Sequence, residues 1–149
     1  DGIHWTKPDL GLFEYQGSKE NNIVWDGPGT HNFTSFKDAN PDASDEARYK
    51  ALGRGRGGLL AFKSPDAIHW SLVADKAVIT HGAFDSQNLA FYDTVRGEYR
   101  DYHRQGRAGK RDIMTCTSPD FLNWTEPVFL TYLPVYFTSL WLDNLVFGG

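Results

Sequence analysis

The chain has 149 residues, 40% of them apolar and 15% aromatic, which is enough to fill a hydrophobic core and argues against disorder. A net charge of -4 provides no clustered basic footprint for phosphate, so no nucleic acid is expected as a partner. Cys116 is the single cysteine, which excludes an internal disulfide and a cysteine metal cluster.

Taken in chain order, the elements repeat. "DGIHW" at 1–5 matches the end of "SPDAIHW" (Ser64 to Trp70) and "SPDFLNW" (Ser118 to Trp124), with the three tryptophans 65 and 54 residues apart. Residues 1–29 therefore read as the end of one repeat unit and a connection. From His31, "HNFTSFK" predicts a strand, followed by the polar loop "NPDASDE" and then "RYKALGRGRGGLLAFKSPDAIHWSLV", which predicts a hairpin, the repeated turn and an outer strand. The second unit opens at "QNLAFY", turns at "DTVRG", where Gly97 can take a positive φ, and continues as "EYRDYHRQGRAGKRDIMTCTSPDFLNWTEPV". The two units align with four extra residues in one loop of the second. The apolar run from Leu133 to Phe147 is too short for a membrane span and carries Asp143 and Asn144, so no membrane is expected and a buried strand is the better reading.

Self-similar four-stranded antiparallel units in tandem predict an all-β fold, a β-propeller, because one such sheet cannot cover both its own faces. The expected organisation is one partial propeller domain: the end of a blade and its connection at 1–29, complete blades at 30–81 and 82–132, and the start of another at 133–149. Within the repeated turn, Ser and Asp side chains accept backbone N–H groups one or two residues on, and Pro65 presets φ. A residue that recurs serves what recurs, so Asp66 and Asp120 read as structural.

"SPDFLNW" before an outer strand, and "GAFDSQNLAFYD" opening an inner strand, resemble the five-bladed propeller glycoside hydrolases of the invertase, levanase and arabinanase type. The likeness spans most of residues 1–132. It implies a ring of five blades; at roughly 40–50 residues per propeller repeat, this length does not close one. The sequence is thus expected to be part of a longer chain whose other blades complete the ring.

In an up-and-down blade, the inner-strand starts share one end with the second hairpin, while Asp38, Asp93 and both "SPD" turns fall at the other. That leaves Asp85, His31, Asn32, Gln87, Asn88, His103 and Arg104, with the basic loops "GRGRGG" and "GRAGKR", at the end where the resembling enzymes bind sugar. Glycoside hydrolysis needs paired carboxyl groups, and Asp85 is the one carboxylate expected at this end. The resemblance implies that it holds sugar hydroxyls and steadies the transition state, although the local sequence is "FDS" rather than an "RDP"-like motif; a strand-entry cap is its structural alternative. His31, Asn32, Gln87, Asn88, His103 and Arg104 would make the polar sugar lining, or else cap strand ends and pack in the sheet. His4, His69 and His81 lack ligand spacing, so no metal and no cofactor is expected. Two functions stay open: a glycoside hydrolase-like carbohydrate-active protein, or a non-catalytic propeller that binds glycan or protein. The sequence leaves the compartment open, with a secreted or periplasmic setting among the options.

Overall fold

The structure, a computed structural model, describes residues 2–132. Two antiparallel four-stranded sheets are laid down in chain order. The first holds β1 (His31–Lys37), β2 (Tyr49–Gly55), β3 (Gly58–Ser64) and β4 (Ser71–Leu72); the second holds β5 (Leu89–Asp93), β6 (Glu98–Arg107), β7 (Lys110–Ser118) and β8 (Val128–Phe129). They lie within the units expected at 30–81 and 82–132. The all-β reading holds among the described residues, whose one helical element is a 3-10 turn, Asp45–Ala47, in the "NPDASDE" loop. Two sheets do not close a ring, and the blade expected to start at 133–149 lies outside the described residues.

β4 and β8, the last strand of each sheet, are continued by backbone bonds beyond their ladders. Val73 N–H donates to Ala61 and Leu59 N–H to Ile79, on either side of the break at 74–77; in the second sheet Thr125 donates to Thr117 and Leu130 to Ile113. Gly58 permits the return contact in the first sheet. Its φ is +147°, and a Cβ there would stand 2.1 Å from the Ile79 carbonyl oxygen.

Burial separates the two sheets. In β2 and β3 it runs almost unbroken from Lys50 to Gly53 and from Gly58 to Phe62, whereas in β6 and β7 it alternates, with Tyr99, Asp101 and His103 buried opposite Ser118, Cys116 and Met114. Continuous burial means both faces are covered, and alternation means one is. Leu52, Leu59 and Ala61 face the second sheet and pack with Ala90, Tyr99, Cys116 and Phe121. On the other face of the first sheet, Leu60, Phe62 and Trp70 are covered by Val24 and Trp25 of the segment before β1, with the Trp25 ring edge-on to Phe62 at 5.3 Å.

The repeated turns share one bonding pattern, with one more bond at Ser64 than at Ser118. Ser64 Oγ accepts the N–H groups of Asp66 and Ala67, Asp66 Oδ1 accepts those of Ile68 and His69, and the Trp70 indole donates to Ala67 O at 3.0 Å. In the second copy Ser118 accepts Asp120 N–H, Asp120 Oδ1 accepts Leu122 and Asn123, and Trp124 donates to Phe121 O at 3.0 Å. Near the start of the chain, Trp5 Nε1 donates to Gly2 O at 3.2 Å, so Gly2 stands where Ala67 and Phe121 do. All three take a positive φ: +77°, +64° and +69°. The turn thus asks for a left-handed residue that costs glycine little and Ala or Phe more.

Between the sheets, at the end where these turns lie, Asp38 forms a buried ion pair with Lys50 and accepts the Tyr99 hydroxyl at 2.7 Å. Asn40 donates to that hydroxyl at 3.1 Å, and the Lys50 ammonium lies 5.2 Å from the Tyr99 ring centroid. Burial, helped by the Asp38 charge, pushes the Tyr99 phenol well above its usual range, so it stays a donor.

Two outcomes follow for stability. Gly58→Ala is expected to lose about 2–3 kcal/mol in urea unfolding, because the new methyl meets backbone rather than a movable side chain. The second concerns Asp120. Burial alone would raise its carboxyl, but the N–H of Asn123, then its amide and Leu122 N–H, hold it at about 2 against an ordinary 3.8. A folded-state value below the unfolded one gives stability above pH 4 that disappears as pH falls through 2. The melting-temperature gap between the native chain and Asp120→Asn should therefore be widest near neutrality and close toward pH 2; a gap that widens on acidification would contradict the turn's role.

Candidate functional site

Register fixes which residues share an end. His31 pairs with Arg54 next to the Gly55–Gly58 closure of β2 and β3, and Leu89 pairs with Tyr102 on the side of the Arg107–Lys110 closure of β6 and β7. At the opposite end Lys37 pairs with Tyr49, Asp93 with Glu98, and both "SPD" turns follow. Asp38, Asp66, Asp93 and Asp120 thereby lie away from the end where β1 and β5 begin, as expected from the up-and-down strand order.

Asp85 is exposed at that end and forms an ion pair with Arg104 of β6. The hydrogen bond from Arg104, followed by the charges of Arg104 and Arg111, outweighs desolvation and holds the carboxyl below its usual range. It is an ionised acceptor at neutral pH, suited to receive hydroxyl hydrogens and not to supply a proton. The connection carrying it is pinned from three directions. Asn32, at φ +52° in the β1 bulge, donates from Nδ2 to Phe84 O at 3.1 Å; Ala83 N–H donates to Arg104 O at 3.0 Å; and His103 Nε2 contacts His81 O at 3.0 Å.

The sequence-expected residues separate accordingly. His31 and Gln87 are exposed at the same end as the Asp85–Arg104 pair, and Asn32 is half-buried and spent on the Phe84 carbonyl. Asn88 and His103, expected in the sugar lining, are 0% and 1% exposed in the layer between the sheets. Alternation along β6 turns Tyr99, Asp101 and His103 toward the first sheet and Arg104 away from it, so His103 and Arg104 cannot line one surface. Of the basic loops, Arg54, Arg56, Lys110 and Arg111 are exposed, and Arg107 is ion-paired with Asp112 and lies over the Phe129 ring at 4.5 Å. Asp112 is the carboxylate that sequence reading missed at this end. Counting back from the hairpin closure reaches it opposite Gln105.

A second polar group lies deeper. The His103 ring is hydrogen-bonded through Nδ1 to Asp101, and the Cys116 thiol approaches the same carboxylate oxygen at 3.8 Å. Burial pushes both the Asp101 carboxyl and the Cys116 thiol up. One ligand atom from each of these three residues lies within 4.8 Å of the others. Gly82 makes room for the ring, since a Cβ there would stand 2.5 Å from His103 Cδ2.

No family model, curated protein or solved structure matches the chain.

Because Arg104 supplies the largest effect on Asp85, Arg104→Met is expected to raise the Asp85 carboxyl toward its ordinary 3.8, readable in a carboxyl-carbon NMR titration. An unmoved titration would mean that the pair does not persist in solution.

Proposed function

We propose that the chain is part of a glycoside hydrolase-like β-propeller that takes a glycan at the end where its inner strands begin, with Asp85 receiving sugar hydroxyls. The observation that carries this reading is the exposed, ionised Asp85 carboxylate braced by Arg104. A carboxylate whose orientation is fixed by a guanidinium accepts paired hydroxyl hydrogens at little further ordering cost. The exposed Gln87 amide and His31 ring at the same end add donors and acceptors of the kind sugars require. Two four-stranded sheets in chain order, one of them covered on a single face, support the propeller part, since a ring leaves such a face for the next blade.

The same geometry favours recognition over cleavage by these residues alone. Hydrolysis needs a protonated acid across the scissile bond from an ionised partner; Asp85 is the ionised kind, and Asp112 is tied to Arg107. Any general acid would come from other blades. The alternative is a non-catalytic propeller that binds glycan, or protein, through this end.

Glycan-array screening followed by calorimetry on the best oligosaccharide tests the proposal. Asp85→Asn should weaken binding about 10- to 100-fold, the loss of one or two charge-assisted hydrogen bonds. Unchanged affinity would remove Asp85 from the site, and failure of the native chain to bind any glycan while binding a protein would favour the second function.

A further inference from the structure

We infer that Asp101, His103 and Cys116 form a buried binding site for a divalent transition ion of the zinc type, held between β6, β7 and the connection before β5. Three kinds of observation converge. The donors are one oxygen, one imidazole nitrogen and one sulfur, all within 4.8 Å of one another, and their residues are 0%, 1% and 3% exposed. Mixed sulfur, nitrogen and oxygen donors of this kind suit zinc.

The outer contacts are those a ligating histidine uses. A carbonyl oxygen can only accept, so His103 Nε2 carries its hydrogen toward His81 O at 3.0 Å and the ring presents Nδ1 to Asp101. Fixing the tautomer through the far nitrogen is how metal-bound imidazoles are oriented.

Polar capacity is also left over. Asp101 Oδ1 and both side-chain polar atoms of Asn88 are buried without a partner. Leu89 pairs with Tyr102 and Ala90 with Asp101, so Asn88 falls opposite His103, and the period of two puts its side chain on the same face. An amide in that place offers a fourth oxygen. Buried polar atoms without partners are costly, and an ion bound there would satisfy them.

Charge balances as well. Without metal, Cys116 holds its thiol proton and the Asp101–His103 pair shares one proton. When the ion forms bonds to sulfur, Nδ1 and a carboxylate oxygen, these two protons leave to solvent. One thiolate and one carboxylate then cancel the two positive charges, and no electron is transferred. A neutral complex avoids the penalty of an uncompensated buried charge.

The test uses the chain purified without a metal-binding tag, loaded with zinc, dialysed, and measured by elemental analysis, with cobalt(II) as the optical probe. The expected result is about one zinc per chain, a higher melting temperature than after chelation, and a thiolate-to-cobalt band in the near ultraviolet. Cys116→Ala, a small change at a buried position, should remove that band and weaken zinc binding at least about 10-fold while the near-ultraviolet circular dichroism stays native. His103→Gln should do the same if it folds. A folded native chain that retains no zinc overturns the proposal, and so does zinc retained equally by Cys116→Ala, which would place the ion elsewhere.

Discussion

The Tyr99 hydroxyl reaching across to Asp38 sets the relation of the two sheets on which the rest of the molecule depends. Asp38 follows β1, Lys50 lies in β2 and Tyr99 in β6, so one buried hydrogen-bonded group ties the first sheet to the second. The Asp38 side chain is fully buried, and removing one partner of such a pair strands the other charge at about 3–5 kcal/mol. An apolar layer of Leu52, Leu59, Ile79, Ala90 and Phe121 could slide at small cost, but directional bonds at Tyr99 cannot. The apolar surface supplies the attraction, and the polar group supplies the register in which that attraction is satisfied.

Much of this was legible in the residues. The repeated "SPDxxxW" turn announced two equivalent units, and the hydroxyl and carboxylate in it do what their chemistry suggests. Strand alternation correctly sent Asp38 and Asp93 to the end away from Asp85. What could not be read is which face of each strand another sheet would cover. His103 and Arg104 are adjacent and both polar, so a period of two says they point apart without saying which is buried. The packing of the second sheet on the first decides it, and with it the burial of Asn88. The Asp101–His103–Cys116 grouping was hidden for a related reason. Cys116 pairs with Asp101 only through the β6–β7 register, and the spacing of 13 residues between His103 and Cys116 matches no ligand motif.

The buried and exposed halves of β6 meet in the connection that carries Asp85. His103, on the inner face, holds this connection at His81 O, while Arg104, on the outer face, holds it at Ala83 N–H and at Asp85 itself. Between these anchors Phe84 is 4% exposed, packs 5.0 Å from the His103 ring and takes a φ of +54°. A buried aromatic residue held in the left-handed region persists only where its surroundings over-determine it. Here they do: Asn32 takes its carbonyl, His103 its ring face, and Gly82 the space a side chain would need. The reversal at Phe84 is what lets the chain leave the intersheet layer and present Asp85 outward beside Arg104. The position of the exposed carboxylate is therefore fixed from beneath by the buried His103 imidazole and the half-buried Asn32 amide, and anything that stiffens His103 also stiffens Asp85.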